Sequence, residues 1–524
     1  MKPILLGFVF VTLFASSCKK SAPMSMPAPP PGVGGGGGVG GGIYVVSNRE
    51  QYGHISESGF ILAKNEPLST FSIDVDSAAY SNVRRMLREG RLPPKDAVRV
   101  EELVNYFDYD YVEPEIDVPF SATVELSAAP WQDERHLVHI GLKSKAVAKQ
   151  NLPPNNLVFL IDVSGSMASA DKLPLLKRAF ALLANELRPQ DHVAIVVYAG
   201  AAGLVLPPTV GSNKPLIHAA LERLRAGGST AGARGIQLAY QTARDNFISG
   251  GNNRVVLATD GDFNVGISSE GALVRMIERE REAGVFLSVL GFGTGNLQDS
   301  KMEQLADRGN GHYAYIDTIL EARRVLVEQL GATLLTVAKD VKIQVEFNPA
   351  RVHSYRLVGY ENRLLRAEDF NDDKKDAGEI GAGHSVTALY EVVPAGAADV
   401  GPDIDPLKYQ RRSPTEQGLA SEELLTLKVR YKEPDSEESR LMSKPVSDQV
   451  QTLADSSRTF RLAAGVAEFG MLLRNSEFKG QASYGSAVEL VEGAKGSDPS
   501  GRWSELVYLM RTAERLGDQR AEVR

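Results

Sequence analysis

The sequence predicts an α/β protein: a doubly wound open sheet inserted in a β-sandwich, followed by a helical C-terminal region. Three observations predict it. Between Asn156 and about Leu335 short apolar runs alternate with stretches of helical periodicity, the pattern of parallel strands joined by packed helices. On both sides of that block, segments alternate apolar and polar residues as half-buried strands do. From about residue 440 onward, apolar residues recur at helical spacing.

The chain has 524 residues, a formal net charge of −8 and a single cysteine, Cys18. The charge excludes a broad basic footprint for nucleic acid. One cysteine excludes an intramolecular disulfide, a CxxC redox pair and a cysteine-built zinc site. Lys2, the apolar run 4–14 and the small residues Ala15, Ser16 and Ser17 make an export signal, residues 1–17. Its end at Cys18 resembles a bacterial lipobox. That resemblance implies an acylated Cys18 and a protein anchored in the cell envelope, with the outer membrane favoured because no Asp follows Cys18. Residues 18–55 read as a tether, with prolines at 27 and 29–31 and a glycine-rich run at 34–42. No strand precedes that run and no GK[ST] follows it, so it is not a phosphate-binding loop.

Residues 56–115 read as a small N-terminal domain with helices after Ser77 and at 98–107. Within it, Asp74-Val75-Asp76-Ser77 invites comparison with the DxDx[TV] pattern of haloacid-dehalogenase-type phosphatases, in which Asp74 would be the nucleophile and Asp76 the acid. That chemistry needs a buried apolar strand before the motif, whereas residues 69–73 are only half apolar. A capping role for Asp76 or Ser77 on the following helix is the preferred reading, with a hydrolase as the alternative. Strands are expected at 120–126 and 136–142 (first part of the sandwich, 116–150). The second part, 336–435, has strands at 341–347, 354–358, 385–392 and 424–431.

The central block, 155–335, carries the chemistry. The continuous apolar run 157–161 reads as a parallel strand buried on both faces. Residues 192–198, 254–258, 285–290 and 312–316 follow as further strands, with a short edge strand at 204–206. Helices are expected at 173–183, 216–224, 236–247, 273–282, 302–307 and 319–330. In such a sheet, ligands sit at the carboxyl ends of the strands. There the first strand runs into Asp162-Val163-Ser164-Gly165-Ser166, a connecting loop carries Gly227-Gly228-Ser229-Thr230, and the 254–258 strand runs into Thr259-Asp260-Gly261.

This set resembles the von Willebrand factor A domain, a Rossmann-like fold, with its metal-ion-dependent adhesion site. The resemblance implies that Ser164, Ser166 and Thr230 bind a metal directly, while Asp162 and Asp260 act mainly through water. It implies Mg²⁺, with Mn²⁺ or Ca²⁺ as alternatives. Magnesium seeks about six oxygen ligands and gives up water reluctantly. Three neutral hydroxyls and two outlying carboxylates leave it electrophilic on its open side, to be completed by an acidic side chain of a partner protein. That is binding, with no catalytic residue. The segments 68–85, 258–266 and 467–474 also resemble a group of uncharacterised bacterial lipoproteins that share flanking N- and C-terminal domains.

In the last region, 440–524, Phe460, Ala463, Val466, Phe469 and Leu473 form one stripe and Trp503, Val507, Met510 and Ala513 another, both expected in a core. His136 and His139 have no HExxH or third ligand beside them and are not expected to bind zinc.

Overall fold

The structure is a computed structural model. It describes residues 49–522, except 74, 116–117, 229–231, 262–269, 330–334, 376, 398–413 and 435. The export signal, Cys18 and most of the tether lie outside the described residues.

The central sheet has six strands, in the order Tyr313–Ile316, Val285–Phe292, Asn252–Thr259, Asn155–Asp162, His192–Tyr198 and Ala202–Val210. All are parallel except the last, an antiparallel edge strand longer than its three-residue apolar run suggested. Alternate side chains of a strand face opposite ways. Leu157, Phe159 and Ile161 therefore enter one core with Leu176 and Phe180. Val158 and Leu160 enter the other with Ile236, Tyr240, Leu273 and Ile277. Every residue of Asn155–Asp162 and of Asn252–Thr259 is buried, which is why their middles, 157–161 and 255–258, read as unbroken apolar runs. From Asn155–Asp162 the chain first winds to one side and later returns to the other. The strand ends of Asn155–Asp162 and Asn252–Thr259 thus flank the topological switch point.

Two antiparallel sheets form the sandwich. One is ordered Ile61–Leu62, Val352–Val358, Ser385–Pro394, Gln132–Ser144, Phe120–Ala129. The other is ordered Leu364–Leu365, Leu68–Ser72, Thr336–Phe347, Glu423–Lys432, Ser439–Ser447. They share one core, with Ile140, Leu142 and Tyr390 from the first sheet and Phe71, Ile343 and Val429 from the second. The A-type block is thereby inserted between strands of a single sandwich.

Three sequence expectations are corrected. Residues 56–115 are not a separate small domain. Their strands join both sandwich sheets, and their helices Ala78–Arg88 and Val100–Asn105 share a core with the C-terminal helices Arg458–Arg474, Tyr484–Ala494 and Arg502–Glu522. Phe107 stacks on Trp503 at 4.2 Å there. The helical region does not begin at 440, because Ser439–Ser447 is an edge strand whose polar, proline-containing sequence hides it. Nor does the tether reach residue 55: the Arg49 and Gln51 N–H groups donate to the Gly295 and Leu297 carbonyls, each at 2.8 Å. Residues Ser47–Arg524 form one compact unit.

Candidate metal centre

Asp162 ends its strand fully buried, and its Oδ1 accepts the Ser164 N–H at 2.8 Å. This turns the chain sharply out of the sheet into the short turn Gly165–Ala168. Ser164 Oγ and Ser166 Oγ come to 3.0 Å from each other, and Ser166 is open to solvent while Ser164 is buried. The loop is held on its far side by two backbone bonds, Gly165 N–H to the Gly228 carbonyl at 3.1 Å and Gly227 N–H to the Val163 carbonyl at 2.8 Å. The glycine-rich loop expected to supply a third hydroxyl is therefore tied directly to the serine loop. Thr230 itself lies outside the described residues.

Asp260 follows the neighbouring strand and is also fully buried. The chain turns behind it at Gly261, where φ is +109° and a β-carbon would lie 2.3 Å from the Asn296 carbonyl oxygen, so only glycine fits. Thr259 Oγ1 donates to Asp162 Oδ2 at 3.4 Å and accepts the Gly261 N–H at 3.2 Å, linking the two strand ends. Burial pushes the Asp162 carboxyl up to about 6, and the charge of Asp260 adds to the rise against the hydrogen bonds from Ser164.

Two residues that the sequence reading did not single out complete the centre. Lys172 Nζ donates to Asp260 Oδ2 at 2.8 Å, and Asn296 Nδ2 donates to the same oxygen at 3.4 Å. Lysine is ordinarily a surface residue, and nothing in the spacing of Lys172 from Asp260 marks the pair.

Among the described residues no cluster of three or more His, Cys, Asp or Glu side chains is placed to hold a metal. An ion held here depends on hydroxyl oxygens. The donors present fit a small hard cation. Two adjacent ligands of an octahedral ion at about 2.1 Å lie about 3.0 Å apart. Ser164 Oγ and Ser166 Oγ, hydrogen-bonded to each other at 3.0 Å, are spaced as such a pair would be.

The other candidates have structural employment. Asp76 accepts the Tyr313 N–H at 2.9 Å and pairs with Arg363 at 3.6 Å, while Ser77 Oγ accepts from Arg324 at 2.6 Å. Neither side chain caps the Ala78–Arg88 helix, contrary to the sequence expectation. The buried Glu102 does so instead, accepting the Ala79 N–H at 2.8 Å. Asp74 lies outside the described residues, and nothing around Asp76 supports the phosphatase alternative. His139 is buried against Tyr111, whose hydroxyl is 2.9 Å from Nε2.

Residues 156–328 match the family model described as von Willebrand factor type A domain, and 46–139 match one described as von Willebrand factor. Residues 332–516 match one described as Uncharacterized protein YfbK, C-terminal. The protein YfbK of Escherichia coli K12 is 45% identical over 459 residues, covering 86% of this chain and 79% of its own. A UPF0353 protein of Mycolicibacterium paratuberculosis is 34% identical over 158 residues, covering 27% of this chain and 46% of its own. Among solved structures, a von Willebrand factor type A protein from Catenulispora acidiphila is 16% identical with a TM-score of 0.43, covering 77% of this chain and 91% of that one.

Proposed function

The chain belongs to the family of Escherichia coli YfbK and carries a von Willebrand factor type A domain, and from that premise we propose a metal-dependent protein-binding module of the bacterial cell envelope. Domains of this type typically mediate protein interactions and metal-dependent adhesion. In the proposed mechanism, Ser164, Ser166 and Thr230 would hold Mg²⁺ through their hydroxyls, and Asp162 and Asp260 would act on it through water. When bound, the ion would supply an electrophilic position suited to an acidic side chain of a partner protein.

The remaining work is done by the chain itself. Asp162 fixes the Ser164 N–H and so aims both serine hydroxyls the same way. Burial of both carboxylates keeps their fields unscreened by water. In this reading the centre binds without turnover. Cys18 would carry the lipid anchor, and the tether would let the compact body reach a partner from the membrane surface.

The observation that carries the proposal is the meeting, at two neighbouring strand ends, of the buried Asp162 and Asp260 carboxylates with the Ser164 and Ser166 hydroxyls, which lie 3.0 Å from each other. Calorimetric titration of the purified, chelator-treated chain tests it. One Mg²⁺ should bind per chain, and Ser164→Ala or Asp162→Ala should abolish binding with little loss of folded structure. Undiminished Mg²⁺ binding by Ser164→Ala would remove the basis of the proposal. Separately, Cys18→Ser should abolish incorporation of labelled fatty acid in a bacterial host.

A further inference from the structure

Lys172 is the least expected residue at this centre. It is only 6% exposed. Its ammonium lies 2.8 Å from a carboxylate oxygen of the fully buried Asp260. Its aliphatic stem crosses Gly293, where φ is +72° and a β-carbon would fall 2.1 Å from Lys172 Cγ. The groove for the lysine is thus cut by the absence of a side chain. The neighbouring residue, Asp171, braces the same loop by accepting the Thr294 N–H at 3.1 Å. Stem, head and flanking residue are all fixed, so the ammonium stands beside Asp260 by construction.

We propose that Lys172 is a resident counter-cation that sets the charge, and hence the ligand selectivity, of the metal centre. The inference rests on the metal-binding reading given above. Asp162 and Asp260 carry two negative charges when ionised, and Lys172 returns one positive charge. A divalent ion entering this set meets a net charge of −1 in place of the −2 of the carboxylates alone. The loaded centre therefore keeps one uncompensated positive charge in a poorly screened site. An outside carboxylate cancels that charge; a neutral ligand or water does not. Lys172 thereby weakens the hold on the bare ion and makes anionic ligands the ones that complete the centre. Without it the two carboxylates would neutralise the ion, and the demand for an acidic partner would fall.

A lysine serving only to fasten the Leu173–Glu186 helix to the strand end predicts something different: its loss would lower stability and leave ion affinity alone or reduce it. The test is calorimetric titration of Mg²⁺ and of Mn²⁺, each alone, into the full chain and into Lys172→Gln and Lys172→Met. Gln keeps an N–H donor for Asp260 without the charge, so it preserves the metal-free fold if Met does not. Both variants should bind the ions at least about tenfold more tightly than the parent chain. Their thermal midpoints should also rise further than the parent's on adding saturating Mg²⁺. Equal or weaker affinity in the variants, with the parent binding normally, overturns the role of Lys172 and leaves the metal centre standing. Absence of binding in the parent and in both variants overturns the metal-binding reading itself, and this inference with it.

Discussion

Asp162 is both the end of a strand and the pivot of the serine loop, and the cost of burying it gives the centre a pH dependence. Its carboxyl is raised from 3.8 to about 6 by burial, with Asp260 adding to the shift. The folded chain therefore holds a proton that the unfolded chain releases between those values. The contribution of this group to metal-free stability is greatest at low pH and is lost as pH rises through about 6. Metal binding runs the opposite way, because the ion needs the ionised carboxylate. Mg²⁺ affinity should thus be markedly stronger at pH 7.5 than at pH 5, as titration calorimetry at the two values would read. Gly261 sets a second residue-scale expectation. A β-carbon there meets the Asn296 carbonyl oxygen at 2.3 Å on a backbone with φ of +109°. Gly261→Ala should cost about 1–3 kcal/mol of stability in a denaturant titration and should weaken Mg²⁺ binding by displacing Asp260. Asp162, Ser164, Ser166 and Asp260 could be singled out in the sequence because they lie at, or within a few residues of, the ends of two apolar strands. Lys172 and Asn296 were not, because they reach Asp260 across 88 and 36 positions of sequence.

At the scale of elements, legibility followed burial. The strands Asn155–Asp162 and Asn252–Thr259 are buried throughout, and the apolar runs at their middles stand out. The strand Ser439–Ser447 lies on an edge with mostly exposed or half-exposed side chains, so no periodicity announces it. Local capping rules failed for the Ala78–Arg88 helix for a related reason. Asp76 and Ser77 are spent on Tyr313, Arg363 and Arg324, and the Ala79 N–H is satisfied by Glu102 from the next helix. Glu102 is fully buried and also pairs with Arg99. Glu102→Ala should therefore destabilise the protein by about 2–4 kcal/mol, since it removes the cap on the Ala79 N–H together with one of the carboxylates around the buried Arg99, which keeps its pair with Asp299. Ser77→Ala should cost only about 1 kcal/mol for its single lost hydrogen bond. Denaturant titration of the two variants side by side checks the order.

Across the whole molecule, one guanidinium joins three regions that the sequence presents as separate. Arg84, on the Ala78–Arg88 helix, pairs with Asp317 and with Glu321 (2.9 Å) at the end of the A domain and with Glu505 (3.3 Å) on the last helix. Burial alone would push the Glu321 carboxyl up, but Arg324 and Arg84 outweigh it and hold it down at about 2. That stabilisation is complete above the ordinary carboxylate range and is lost as pH falls through about 2. Arg84→Ala should lower the thermal midpoint and split a single calorimetric transition into two, as the inserted domain uncouples from the helices around it. Contacts of this kind, made between residues 233 and 421 positions apart, leave no local pattern to read. The central claim, that the strand ends at this switch point gather one cation, is tested most directly by anomalous diffraction from crystals of the chain soaked in Mn²⁺. A single peak about 2.1–2.2 Å from both Ser164 Oγ and Ser166 Oγ is the predicted result. A fully soaked crystal with no peak there, or with its manganese bound elsewhere, would contradict it.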